Sequence, residues 1–540
     1  MLSVKDFLVQ EQSVSEKGTV SRAAGVVGFF TLLSRILGLI RDMVLAALFG
    51  SGTAADAFFV AFRIPNLLRR LFAEGSLTIS FIPVFTEYLA GKGREDAFDL
   101  ARVVLTLLSV ILVAVTLLGI LFSPWIVRVQ AFGFGDTGMK YALTVLLTRI
   151  TFPYIFFISI VAFFMGVLNS LKHFAAPAAA PIFLNVGIIG AGYLISPYCQ
   201  EPIVGVAIGV LIGGFLQAAL QIPFVVRRGL KLIPKWQPDH PALKRIGLLM
   251  VPAIFGSAVY QLNQFMGTLL ASFLPEGSVS WLYYADRLVQ FPLGIFAIAI
   301  STAALPSLAA QAAGKDFDQF RQILNHSLGL VFFIAVPSTV GLLLLGRPII
   351  QILFERGAFT VFATSMTTYA LWCYVLGLWA FSANRIIISA FYAIQDTKTP
   401  VKVAVITVLI NLGLSLLLMG PFQHGGLALA LSLASMIQFC LLMFLLKRKI
   451  NLGHMKPVYL SIAKTCMAAA VMGGGLFTVH SLWLPVDPGS SLLEKMICLF
   501  ILILGGMVLY GFVARLLKCV ELYNFLESLR RKTRRKASYK

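Results

Sequence analysis

Fourteen apolar runs, each long enough to cross a bilayer, divide this sequence. They lie at 21–48, 53–88, 97–125, 137–170, 175–196, 203–226, 243–273, 279–312, 318–345, 361–395, 400–420, 425–446, 457–481 and 493–517. A helix of about 20 apolar residues covers the hydrocarbon core. The pattern therefore predicts an all-α polytopic membrane protein of about 14 transmembrane helices. Composition agrees: of 540 residues 59% are hydrophobic and only 12% are charged, with a mean hydropathy of +0.88. Soluble proteins carry roughly 25% charged residues. Too few charges remain here to cover soluble domains, which excludes an ordinary cytosolic enzyme. The hydrophobicity excludes a disordered chain. Several runs exceed the membrane thickness and must tilt or kink, with Pro65, Pro83, Pro153 and Pro292 as expected kink points.

Lys and Arg number 44 against 23 Asp and Glu, a net charge of +21. The cations cluster in alternate short loops, so the excess reads as topology rather than nucleic-acid binding. One side carries seventeen, including Lys92, Arg94, Arg227, Arg228, Lys231, Lys315, Lys398 and Lys449; the other carries five, Arg128, Lys140, Arg347, Arg356 and Lys495. This bias predicts that both termini are cytoplasmic. Residues 1–20 read as a polar cytoplasmic lead-in, without the short apolar core and cleavage site of a secretory signal. Residues 519–540 form a basic tail, with RRKTRRK at 530–536 suited to anionic lipid. The six cysteines are scattered without a CxxC or Cys/His cluster, so no metal or cofactor is expected. No Walker A, GxSxG or HExxH motif occurs, and the chain reads as a transporter rather than an enzyme.

The sequence also repeats itself weakly. Pro83 and Gly91-Lys92 recur as Pro306 and Gly314-Lys315, at an offset of 223. Asn185 and Gly187 recur as Asn411 and Gly413, at 226; Gly205, Ala207, Gln217 and Arg227 recur as Gly426, Ala428, Gln438 and Arg448, at 221. The shared order defines two lobes of six spans each, 21–228 and 241–449. Six is even, so both lobes enter from the same face and the repeat is parallel. Transporters place a substrate path between such lobes. Residues 457–518 supply two further spans outside the repeat.

Charges inside the apolar runs are the sharpest functional signal. One charged side chain at mid-bilayer costs at least about 2.5–3.5 kcal/mol on insertion scales, so such groups face water, pair, or both. The first run holds Arg35, Arg41 and Asp42. Seven residues separate Arg35 from Asp42, which places them on nearly the same helix face. The second run holds Asp56, Arg63, Arg69, Arg70 and Glu74, with Arg70 and Glu74 spaced to pair at i,i+4. The eighth holds Asp286 and Arg287, and Arg149 and Arg385 are further candidates. Arg35, Arg69 and Arg287 sit centrally and read as functional. Arg149 and Arg385 read rather as snorkelling or paired, and for Arg22 and Arg63 the two readings stand level. A guanidinium surplus suits a phosphate or carboxylate ligand. The seventh, eleventh and twelfth spans show no cluster of acids and carbonyl-rich breaks for a sodium site; Asn263 and Asn411 alone do not make one.

SRILGLIRD (34–42), ADAFFVAFRIPNLLRRLFAEGSLTISFIPVFTEY (55–88), SVSWLYYADRLVQFPLGIFAIAISTAALPSL (278–308) and QDTKTPVK (395–402) resemble the MurJ, or MviN, family of lipid II flippases. The family belongs to the multidrug/oligosaccharidyl-lipid/polysaccharide exporter superfamily. The resemblance runs from about residue 21 to the last span. It implies two six-helix lobes plus two helices whose groove takes a lipid tail. The implied substrate is lipid II, a disaccharide-pentapeptide joined by pyrophosphate to a polyprenyl chain. By motif position it assigns substrate handling to Arg35, Arg41, Asp56, Arg69 with Arg70, Glu74 and Arg287; the residue reading adds Asp42 and Asp286. It implies alternating access through a cationic cavity in a bacterial inner membrane. The implied partners are lipid II, membrane lipids and cell-wall synthesis machinery, with a monomer the simplest state. A flippase for another polyprenyl-pyrophosphate-linked oligosaccharide fits the same charges. A multidrug antiporter fits them less well, and a membrane scaffold would have no use for embedded arginines.

The topology has a direct check. In a cysteine-free chain, Arg128→Cys should react with a membrane-impermeant thiol reagent added to intact cells, and Lys231→Cys should react only after lysis.

Overall fold

The computed structural model describes residues 4–69, 77–450, 456–483, 491–524 and 527. Arg70, Glu74 and the cations at 530–536 lie outside the described residues. Among the described residues all regular structure is helical, and none is strand, as the apolar periodicity requires. The chain divides into two compact units, Met1–Glu276 and Gly277–Lys540.

The first unit holds ten helices: α1 (Val4–Phe49), α2 (Thr53–Leu68), α3 (Thr78–Gly91), α4 (Arg94–Leu121), α5 (Ser123–Gln130), α6 (Met139–Thr151), α7 (Tyr154–Ser170), α8 (Ala175–Leu194), α9 (Ile203–Arg227) and α10 (Pro241–Ser272). The polar lead-in and first apolar run form one continuous helix, α1. Pro153 breaks the fourth run into α6 and α7, since proline cannot donate the next helical hydrogen bond. Pro83 is instead carried inside α3. Buried Phe81, Phe85, Phe163, Phe164, Leu100 and Val104 pack α3, α4 and α7 together. The α8–α9 pair is closer still. A Cβ at Gly187 would stand 2.7 Å from the Gly213 backbone, and one at Gly209 would stand 2.6 Å from the Ala191 Cβ. Close contact between small residues substitutes in lipid for the hydrophobic drive available in water.

The second unit holds α11 (Ser278–Pro292), α12 (Ile298–Ala313), α13 (Phe317–Phe354), α14 (Val361–Val375), α15 (Leu378–Ala393), α16 (Lys398–Ile450), α17 (Lys456–Trp483) and α18 (Leu492–Leu516). A π-helical turn at Leu293–Ala297 follows Pro292 and joins α11 to α12. The α14–α15 pair bends by 41°. Gly377 sits at the bend, where a Cβ would fall 2.7 Å from the Ser432 backbone. α16 is two helices meeting at Gln423, whose φ is 48°. That break separates the eleventh and twelfth apolar runs. α17 and α18 pack on α13 through Phe333, Leu345, Ala468, Ala469, Met472 and Tyr510, whose hydroxyl donates to the Phe333 carbonyl at 2.8 Å.

Among the described residues nine helices are long and apolar enough to cross a membrane, or ten with α14–α15 as one bent span. The packing boundary falls one helix later than the repeat boundary at 241. α10 belongs with the first unit because Gly133 N–H donates to the Ser272 hydroxyl at 3.0 Å and α10 packs on α3.

The QDTKTP stretch has a structural job. Asp396 accepts from Thr399 N–H at 3.0 Å, and also pairs with Lys449 at the far end of α16. Burial pushes the Asp396 carboxyl up, but the hydrogen bonds from Lys449 and Thr399 outweigh it and hold the pKa at about 2. A depressed carboxyl pKa stabilises the fold above the unfolded value and loses that contribution as pH falls through the folded one. The melting-temperature gap between wild type and Asp396→Asn should therefore be full at neutral pH and close as pH falls from about 4 toward 2.

Candidate functional site

The first unit places its embedded charges at three levels of solvent contact. On α1, Arg41 and Asp42 are buried. Arg41 donates from Nε and Nη2 to Asp42 Oδ1, at 3.0 and 2.7 Å, and from Nη1 to Asn185 Oδ1 on α8 at 3.2 Å. Burying this arginine is tolerable because a carboxylate and an amide meet its donors.

Arg35, six residues earlier, is exposed and makes no hydrogen bond or ion pair among the described residues. The helix geometry explains the difference. At about 100° per residue, Ser34, Gly38 and Arg41 share the face toward α8. Phe29, Leu32, Ile36 and Ile40 form an exposed apolar stripe on the opposite face. Arg35 lies between the two, roughly 95° from each, with exposed Thr31 one turn away. The shared face expected for Arg35 and Asp42 does not join them: Asp42 turns to its neighbour Arg41.

On α2, Asp56 lies in the first turn and is 1% exposed. Lys140 of α6 donates to it at 2.7 Å and also stands 4.2 Å over the Phe134 ring. A carboxylate in a helix's first turn is favoured by the helix dipole, and the lysine completes its neutralisation. Glu276 serves the same helix end: its carboxylate accepts from Thr53 N–H and the Thr53 hydroxyl, both at 2.5 Å. The Thr53 hydroxyl bond, aided by the backbone bond and against some burial, holds the Glu276 carboxyl below its usual range. Arg63 donates to Gln264 Oε1 of α10 at 2.7 Å, so its role includes fastening α2 to α10. Arg69 is half-buried, and its Nε donates to Asn66 Oδ1 at 3.0 Å. Arg149 donates to the Ser123 hydroxyl at 3.0 Å.

In the second unit α11 buries Trp281, Tyr284, Ala285, Leu288 and Val289 and turns Arg287 outward. Arg287 donates from Nη2 to the Tyr283 hydroxyl at 2.6 Å and stacks 4.8 Å from that ring. The Tyr283 hydroxyl and π face together orient the guanidinium. Asp286 is half-buried and accepts from Gln290 Nε2 at 3.4 Å. Arg385 on α15 is exposed.

The sequence-selected residues thus separate into groups. Arg35 and Arg287 are exposed cations on apolar helices, one in each unit. Arg41, Asp42 and Asp56 are buried in ion pairs. Lys140 and Asn185 carry no such signal in the sequence. Lys140 is 84 residues from Asp56, and only the fold brings the two together. Asn185 was visible in the repeat but carried no charge. Among the described residues no cluster of His, Cys, Asp and Glu could hold a metal ion.

The family described as "Lipid II flippase MurJ" matches residues 45–497. The "Probable lipid II flippase MurJ" of Vibrio cholerae serotype O1 is 40% identical over 463 residues, covering 84% of this chain and 87% of its own. The "Lipid II flippase MurJ" of Burkholderia cenocepacia is 38% identical over 460 residues, covering 84% and 89%. A solved structure titled "Lipid II flippase MurJ, inward closed conformation" superposes with a TM-score of 0.76 at 29% identity, covering 91% of this chain and 98% of that one. An inward-facing multidrug transporter of the MATE family superposes with a TM-score of 0.67 at 14% identity, a likeness of fold alone.

The buried pair yields a stability test. Lys140→Ala leaves Asp56 without its ammonium partner and should destabilise the protein by roughly 3–5 kcal/mol, read from thermal unfolding in detergent. Lys140→Ala combined with Asp56→Asn should recover much of that loss.

Proposed function

The chain belongs to the lipid II flippase MurJ family, and from that premise we propose that it carries lipid II from the inner to the outer leaflet of the bacterial cytoplasmic membrane. It does so as a transporter, by alternating access, and makes or breaks no covalent bond. Exposed Arg35 and Arg287 are the observation that carries the site reading. Each guanidinium is exposed on a helix otherwise built for lipid, one in each unit. Guanidinium forks match the oxygens of a pyrophosphate, and the pairing strengthens where water is scarce. The headgroup is bound by cations while the polyprenyl chain stays in hydrocarbon. Arg69, with Arg70, extends the cationic set; Asp56, Asp286 and Glu74 keep the arginines oriented and stop them gripping product too tightly.

We read the kinked α16 as two crossings, and α2 with α3, α6 with α7, α11 with α12 and α14 with α15 as one each. This gives fourteen crossings with both termini cytoplasmic. The excess of loop cations on one side supports that orientation. The large exposed side chains of α17 and α18, among them Phe477, Phe500, Ile501, Met507 and Phe512, suit contact with the lipid tail. One chain carries both arginines, which supports action as a monomer.

In cells depleted of their own flippase, wild type should restore lipid II translocation. Arg35→Ala and Arg287→Ala, at matched membrane levels, should each lose at least about tenfold, the scale of one charge-assisted contact. Full translocation by both variants would overturn the site.

A further inference from the structure

Asn185 on α8 is an uncharged polar side chain that touches α1 at two separate turns. Its Oδ1 accepts from Arg41 Nη1 at 3.2 Å; its Nδ2 donates to the Ser34 carbonyl at 3.1 Å and to the Pro181 carbonyl of its own helix at 3.3 Å. The amide can face only one way, because its oxygen meets a donor and its nitrogen meets two acceptors. Ser34, Gly38 and Arg41 form a single face of α1, and Gly38 leaves room for the amide. A Cβ at Gly38 would sit 3.9 Å from Asn185 Nδ2, so alanine would fit and a longer side chain would displace the amide. Asn185 is itself 5% exposed.

A helix in lipid has little to fix its rotation about its own axis when its neighbours are as apolar as the surroundings. A directional bond at two turns of one face does fix it. Rotating α1 by one residue position, about 100°, would take both the Ser34 carbonyl and Arg41 away from Asn185. The same rotation would carry Arg35 either into the face against α8 or into the exposed apolar stripe. We infer that Asn185 is a positioning residue that locks the rotation of α1 and thereby holds Arg35 outward for the anionic headgroup. The ligand role of Arg35 rests on the function proposed above; the rotational lock does not.

Two readouts separate the ideas. The first uses a cysteine-free chain carrying Arg35→Cys and measures its rate of reaction with a water-soluble thiol reagent. Adding Asn185→Ala should slow that rate at least about threefold, as the side chain spends time on other faces. Asn185→Asp, close to isosteric, loses the donors to Ser34 and Pro181 and should also slow it, which keeps the test open if the alanine variant folds poorly. Unchanged rates in both variants would overturn the inference.

The second measures binding of a polyprenyl pyrophosphate in nanodiscs. Asn185→Ala should weaken binding about five- to tenfold, and Arg35→Ala with Asn185→Ala should bind no more weakly than Arg35→Ala alone. Losses that add in full would overturn the positioning role and leave Asn185 a general structural residue. Unaltered binding by Arg35→Ala would overturn the ligand role of Arg35 instead, with the reaction rates still deciding the lock.

Discussion

The cost of keeping a guanidinium charged inside an apolar helix governs this molecule. Arginine does not give up its proton, so each embedded arginine must find a partner, reach water, or accept a ligand. The protein uses different solutions for different arginines. Arg41 is buried and matched by Asp42 and Asn185. Arg63 is spent on the Gln264 side chain, which ties α2 to α10. Arg287 is oriented by an uncharged aromatic ring. Arg35 is left outward, between an apolar stripe and a packed face. This division sets apart the arginines buried in the packing from those exposed on the helix surfaces.

The fold was legible because lipid imposes a simple rule: long apolar runs must be helices. The breaks were partly legible. Pro153 and Pro292 mark changes in the helix, a boundary between α6 and α7 and a π-helical turn after α11, since each removes a helical donor. Pro83 does not interrupt α3, because a helix can absorb a proline when neighbouring groups take up the freed carbonyl. The bend at Gly377 carries no proline at all. Its signal was a glycine required by close approach to Ser432, which a hydropathy pattern does not register. The placement of α10 with the first unit was equally hidden, because it depends on side-chain contacts such as Ser272 with Gly133 rather than on the repeat.

The candidate residues were legible where charge met an apolar background, and their partners were illegible where those were ordinary. Arg35, Arg41, Asp42, Asp56, Asp286 and Arg287 stand out because charge in such runs is expensive. Their supporting residues do not stand out. Lys140 looks like one more loop cation until Asp56 is found beside it, and Asn185 is one of several polar residues in the apolar runs. The residues that position a charge are thus harder to read than the charge itself, because they need only hydrogen-bond geometry and no unusual composition.

The central claim is that this chain alone moves a pyrophosphate-linked glycolipid across a bilayer, and purified protein tests it most directly. Fluorescent lipid II would be placed in both leaflets of proteoliposomes containing the wild-type chain, and a membrane-impermeant reagent would quench the outer leaflet. The account predicts quenching well beyond the outer-leaflet share, as inner-leaflet lipid is carried out. Quenching that stops at the level of protein-free vesicles would contradict it.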